Sequence, residues 1–322
     1  MIDIKEKVML NGLSQTIHIK GNKQDNPVLL FLHGGPGVTN RHSAMNSNDD
    51  LLDDFTLVAW DQRGTAGSYK GAKAEDLTIK QLTEDASALV DYLCKKFDKK
   101  KIFVIGGSWG SLLGTNLIYN FPDKIAAFVG FGQFVNGHMN EVISWNYSLE
   151  EATKAGNDKD VEELKRVGPP VNGIYKGGFD GMMVQRNIMM KYGGYSKNEK
   201  KRSYWDAMIK PILKSGEYSL SDLIGYIKGY KYVLTNMWDE VGMVKFDETH
   251  LKFDVPFFIF DGRLDKNTPS ELVEDWFNRF TAPVKELHWF EKSGHNPMSD
   301  EPEEFKKLLK EKLLKIAKEE KL

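Results

Sequence analysis

This 322-residue chain contains a single cysteine, Cys94. One thiol excludes an intramolecular disulfide and any site built on several thiolates. Cys94 ends the apolar helical stretch that starts at Ala88, which gives it the character of a buried, inert thiol. No uncharged apolar run reaches the ~18 residues that span a bilayer. The start of the chain, Met1 to Lys7, has no hydrophobic region of the secretory kind, so a cytoplasmic protein is expected. Charge of one sign is not in excess either. With 44 basic and 46 acidic side chains the formal charge is −2, and nothing in that balance selects nucleic acid as a partner. No Gly-x-Gly-x-x-Gly or phosphate-loop motif follows a strand, and the histidines lack His-Glu-x-x-His spacing. The expectation is therefore no organic cofactor and no metal.

Buried strands are present. Val28–Leu32, Phe55–Trp60, Ile102–Ile105 and Ala126–Val129 are continuous apolar runs, a pattern of strands covered on both faces, as in a parallel sheet. Ser14–Ile19 reads as an earlier strand. Thr78-Ile79-Lys80-Gln81 has the form of a capping box opening a helix that runs to Phe97. Ser111–Tyr119 continues the third run directly as a helix. Late in the chain, Pro256–Phe260 and Lys285–Phe290 read as strands. Thr268-Pro269-Ser270-Glu271 reads as a helix start with Thr268 as N-cap, and a lysine-rich amphipathic helix over 303–318 closes the chain as a solvated packing helix. This alternation predicts an α/β fold: a mostly parallel central sheet with helices on both faces.

Between about 136 and 250 the alternation fails. Nine of the twelve tyrosines (147, 175, 192, 195, 204, 218, 226, 230 and 232) lie there, together with Trp145, Trp205 and Trp238. Because strand signals return afterwards, this stretch is expected to be a helical cap inserted into one sheet. The expected organisation is a core of 1–135 and 251–322 and a cap of 136–250.

The chemical signal is Gly106-Gly107-Ser108-Trp109-Gly110, a Gly-x-Ser-x-Gly between an apolar strand and a helix. That is the setting of a nucleophile elbow, where a strained turn projects the serine hydroxyl from the sheet edge. Serine needs a base held in place. In the order Ser, acid, His, the chain offers Asp265 and His295, each just past a strand end. His295 would take the hydroxyl proton, and Asp265 would fix its tautomer. Asp261 is the competing acid, less favoured because it sits nearer the strand. Two N–H donors are needed for an oxyanion. Trp109 supplies one, and Gly35 in His33-Gly34-Gly35-Pro36-Gly37 is expected to supply the other.

His33-Gly34-Gly35-Pro36-Gly37, Asp61-Gln62-Arg63-Gly64, Gly106-Gly107-Ser108-Trp109-Gly110 and the Asp265/His295 pair together resemble the proline iminopeptidases, serine peptidases of family S33 on the α/β-hydrolase fold. The resemblance implies a cap domain, no metal or cofactor, and release of small N-terminal residues from peptides or amides. The chain departs from the family after the catalytic Asp, where some members carry a glutamate that holds the substrate ammonium. Here the residue is Lys266, which would repel it. Glu240 in the cap is then the expected substrate-binding anchor. The alternatives are a carboxylesterase or amidase for small apolar acyl groups, and a binding protein on a hydrolase scaffold, which the complete triad argues against. An epoxide hydrolase or dehalogenase would carry aspartate at the elbow. The expected partner is a small-molecule or short-peptide substrate, with no nucleic acid and no membrane.

Overall fold

The computed structural model describes residues 1–196 and 210–322, and Tyr204 and Trp205 lie outside them. Eight strands form one sheet: β1 (Ile2–Leu10), β2 (Leu13–Gly21), β3 (Val28–Leu32), β4 (Thr56–Trp60), β5 (Ile102–Gly107), β6 (Ile125–Phe131), β7 (Phe257–Gly262) and β8 (Lys285–Phe290). Their spatial order is β1-β2-β4-β3-β5-β6-β7-β8. The pairings β1/β2 and β2/β4 are antiparallel and the others are parallel. This is the α/β-hydrolase fold that the strand–helix alternation and the resemblance predicted.

The apolar runs read as buried strands because their alternate residues feed two cores. On β3, Val28, Leu30 and Leu32 join one core, while Leu29 and Phe31 join the other. On β5, Ile102 and Val104 go one way, Phe103 and Ile105 the other. The first core lies under the Ile79–Lys96, Trp109–Asn120 and Ser270–Arg279 helices. The second is closed by the Pro302–Glu320 helix, which buries Phe305, Leu309, Leu313, Ile316 and Ala317 along one stripe and leaves Lys307, Lys315 and Lys318 to solvent. At ~25 cal/mol per Å² of apolar surface, burial on this scale is the main force holding the sheet between its helices.

Two local readings differ from the sequence expectations. β1 is a strand that the sequence reading did not assign. Its partner is β2, across a two-residue turn at Asn11 and Gly12 with φ of 43° and 80°. Positive φ at both positions is the hairpin geometry that Asn-Gly favours. At the other end, the Ser270–Arg279 helix starts with Pro269 at its N-cap and no side-chain cap. Thr268 is therefore not the N-cap, and its hydroxyl is spent elsewhere. The Thr78 cap does form, accepting from Gln81 N at 3.1 Å. The Gln81 side chain donates instead to Asp85.

Between β6 and β7 the chain leaves the sheet. It runs through helices Gly137–Lys154, Asp158–Val167, Phe179–Lys191 and Leu220–Gly242. Connections from β3 leave toward β4, and those from β5 toward β6, so the sheet has its topological switch point between β3 and β5. Ligand crevices of open α/β sheets form at that point, beyond the carboxyl ends of the strands.

Candidate active site

The loops after β3 and β5 meet at the switch point. Ser108 follows β5 with φ 57° and ψ −123° and precedes the Trp109–Asn120 helix. A non-glycine residue held there costs on the order of 1–3 kcal/mol, so the surroundings must fix it. Ser108 N donates to Phe131 O at 3.0 Å, and the Ser111 hydroxyl donates to Ser108 O at 2.6 Å. The small residues of the motif permit close approach, since a Cβ on Gly110 would run into the Leu32 carbonyl and one on Gly106 into the Gly110 carbonyl.

The β3 loop is braced from below by Asp61-Gln62-Arg63. His33 Nε2 accepts from Gln62 N at 3.1 Å, and His33 Nδ1 lies 2.8 Å from Gly34 O. These partners assign the Nδ1–H tautomer, with the proton directed at Gly34 O. Burial lowers the pKa of His33 to about 4, which keeps the ring neutral. Gln62 also donates to His33 O and accepts from the Trp109 indole at 2.8 Å, tying the two loops together. Arg63 is held by both oxygens of Asp85, and Asp61 accepts from Thr39 at 2.6 Å and pairs with Arg41 at 3.2 Å. Gly34 lies against the serine, its Cβ position 3.5 Å from Ser108 Cβ. Gly35, with φ of 119°, follows it on the wall of the same cavity.

His295 and Asp265 come from the loops after β8 and β7. His295 Nδ1 lies 2.8 Å from Asp265 Oδ2, and the two residues are 4% and 0% exposed. Four donors converge on that carboxylate. Oδ2 takes His295 Nδ1–H and the Thr268 hydroxyl at 2.6 Å, while Oδ1 takes the N–H groups of Asn267 at 2.7 Å and Thr268 at 3.0 Å. This is where the Thr268 hydroxyl goes instead of capping a helix. Asp261 is equally buried but faces Gln133 N at 3.1 Å, and burial, together with the nearby Asp265 carboxylate, holds its pKa well above the usual carboxylate range. Of the two acids, Asp265 is the one on the histidine.

A cavity of about 410 Å³ unites these parts, with Gly34, Gly35, Ser108, Trp109, Asn267, Thr268 and His295 on its wall. Its apolar side includes Leu112, Phe131, Phe134, Met182 and Trp238. Glu240 is not among the described residues that line it. Its side chain accepts from Ile79 N at 2.8 Å, at the start of the Ile79–Lys96 helix, where a carboxylate meets the positive helix end. The cavity glutamate is Glu141, 1% exposed and one turn into the helix that follows β6. Glu141 Oε1 takes Arg186 and Asn140, while Oε2 is buried without a hydrogen-bond partner among the described residues. The first turn after a strand at the carboxyl edge is the signal that could have singled it out. Lys266 is not a lining residue either, and its ammonium pairs with Glu271. The charge that argued against an ammonium site is thus neutralised by a neighbour.

Comparison with known proteins agrees with this architecture. The family model of the alpha/beta hydrolase fold matches residues 27–302. The chain is 26% identical over 306 residues to the probable aminopeptidase YbaC of Bacillus subtilis, covering 94% of each. It is 35% identical to the proline iminopeptidase of Neisseria gonorrhoeae over 116 residues, 36% of this chain and 35% of that protein. Its fold is shared with a proline iminopeptidase-related protein of Thermus thermophilus, with a TM-score of 0.62, 17% identity and 98% of each chain covered. With the family model spanning most of the chain, the protein belongs to the α/β-hydrolase fold family.

Proposed function

We propose that the protein is a serine hydrolase that releases small N-terminal residues from peptides or amides through Ser108, His295 and Asp265. The observation that carries this reading is the His295–Asp265 pair opening on the same cavity as the strained Ser108 turn. Ser108 Oγ attacks the scissile carbonyl as its proton passes to His295 Nε2. Asp265 stabilises the imidazolium. The N–H groups of Trp109 and of Gly35 receive the oxyanion, each worth roughly 3–4 kcal/mol in the transition state. The imidazolium proton then goes to the leaving nitrogen, and the amine departs. Water, deprotonated by His295, releases the acyl group. Residues 136–250 act as the cap, their helices supplying the far wall.

The substrate ammonium is assigned to Glu141 Oε2, in place of Glu240. That oxygen has no donor among the described residues, which is costly for a buried carboxylate, and an ammonium at that position relieves the cost. The names of the relatives, an aminopeptidase and a proline iminopeptidase, support this class of substrate. The apolar wall and the Arg186 that already balances Glu141 favour the second reading, an esterase or amidase for small apolar acyl groups. Prolyl and alanyl arylamides, their N-acetylated forms and short acyl esters separate the two. The peptidase reading expects acetylation to abolish turnover. Equal turnover of free and acetylated substrates overturns the ammonium anchor.

A further inference from the structure

The nitrogen that has to serve as base is already occupied. His295 Nδ1–H points at Asp265, so Nε2 carries the ring's one free lone pair. The Asn267 side-chain amide Nδ2 lies 3.1 Å from that nitrogen, and Asn267 is 9% exposed. With Nε2 an acceptor, the amide is the donor. The backbone of Asn267 is fixed at both ends: its N–H donates to Asp265 Oδ1 at 2.7 Å, and its carbonyl accepts from Asn140 Nδ2 at 2.6 Å. That same Asn140 nitrogen lies 3.2 Å from Glu141 Oε1. One chain of hydrogen bonds therefore runs from Glu141 on the cavity wall, through Asn140 and Asn267, to the histidine.

We propose that Asn267 is a positioning residue that latches His295 at rest, its amide holding the Nε2 lone pair until substrate entry draws it away and frees the nitrogen for Ser108. This rests on the reading of Ser108 as nucleophile and of His295 as its base. A donor on Nε2 stabilises the neutral ring and is lost when the ring is protonated there. The latch thus opposes both events in which that nitrogen takes part, contact with the serine hydroxyl and uptake of a proton. Among the described residues, the other groups around the ring are the Asp265 carboxylate and Thr268 hydroxyl on Nδ1, the Tyr195 ring at 4.8 Å, the Gly132 backbone and Ser108 across the cavity. Asp261 lies behind Asp265, and Asp300 accepts from Gly294 N at 3.1 Å next to the histidine backbone. None of these is altered by shortening the side chain at 267, and the backbone bonds of that residue survive the change.

The test is the rate at which a fluorophosphonate labels Ser108 as a function of pH, which needs no knowledge of the substrate. Asn267→Ala removes the amide, and Asn267→Ser keeps a polar group too short to reach Nε2. A net hydrogen bond of ordinary strength corresponds to a change of roughly threefold to tenfold. Both variants should label about that much faster on the alkaline plateau, and the midpoint of the acid limb should rise by about half to one pH unit. Below both midpoints the curves should coincide, because the faster step and the scarcer neutral ring cancel. A residue with only a structural role would lower the rate at every pH without moving the midpoint, and that result in either folded variant overturns the latch. If wild-type Ser108 takes no label at any pH, the nucleophile reading fails. If it labels and the variants follow the same curve, only the latch fails.

Discussion

Replacing Asp265 by asparagine tests the assignment of the acid most sharply, because the four donors around its carboxylate dictate what an amide must do. Asparagine has one acceptor oxygen and one NH₂. The two donors on Oδ1 are backbone N–H groups of Asn267 and Thr268, which cannot turn round. The two on Oδ2 are the Thr268 hydroxyl, which can rotate, and His295, which can change tautomer. The amide oxygen therefore takes the Oδ1 position and the NH₂ faces the histidine. His295 then accepts on Nδ1 and carries its proton on Nε2, where it is useless as a base. Loss of the correct tautomer in such a triad is worth about 10⁴ in kcat. The fold loses less, about 1–2 kcal/mol, because the backbone donors keep their acceptor and the Asn267 amide can turn its oxygen toward the new Nε2–H. Asp261→Asn should behave in the opposite way. Its Oδ1 serves Gln133 N and its Oδ2 has no hydrogen-bond partner among the described residues, so turnover should stay within about threefold of wild type, well inside one ordinary hydrogen bond. Asp261 is an acid whose folded pKa is raised, by burial first and by Asp265 second. Its contribution to stability is complete below the unfolded carboxylate pKa and is lost as pH climbs toward the folded value. Asp261→Asn should therefore gain stability over wild type as pH rises from about 4. Steady-state kinetics and denaturant unfolding of the two variants decide the matter. An Asp265→Asn enzyme keeping a tenth of wild-type kcat, or an inactive Asp261→Asn enzyme, refutes the assignment.

Glu240→Ala should leave KM for a free-amine arylamide unchanged and lower stability by about 0.3–1 kcal/mol, the worth of a carboxylate at a helix start. Glu141→Gln should raise KM for the free-amine substrate and spare acetylated or ester substrates, as competition assays with the paired substrates would read. Stability should fall on acidification from about pH 6.5 to 4. His33 is a base whose folded pKa is lowered to about 4 by burial. It stabilises fully above the unfolded histidine pKa, and as pH falls through that value and on toward 4 the stability lost is on the order of 3 kcal/mol. His33→Gln should show a shallower acid slope in urea unfolding. An unchanged slope would place the acid sensitivity elsewhere.

The parallel strands and the elbow were legible in the chain because both are local. A strand buried on two faces has to be apolar throughout, and a Gly-x-Ser-x-Gly turn needs small residues wherever the backbone crowds Leu32 and Gly110. β1 escaped notice although Asn11-Gly12 announced its hairpin, because its residues alternate polar and apolar at the edge of the sheet instead of forming an apolar run. Thr268 fitted the rules for a helix cap, yet a buried carboxylate competed for its hydroxyl and won. That contest is tertiary, and spacing along the chain cannot register it. Between Glu240 and Glu141, position one turn after β6 pointed to Glu141, but nothing along the chain shows which of the two faces the cavity. Both lie on helices outside the sheet, and which face of such a helix meets the cavity depends on how the helices cross.

The proposed chemistry needs one activated hydroxyl at the end of β5. Treating the protein with a fluorophosphonate and mapping the modified peptide by mass spectrometry tests this most directly. The expected result is a single label on Ser108, absent from Ser108→Ala and slowed by at least about a thousandfold in His295→Ala, since members of a triad act as a unit. A label on another serine, or Ser108 labelled at the same rate without His295, would contradict it.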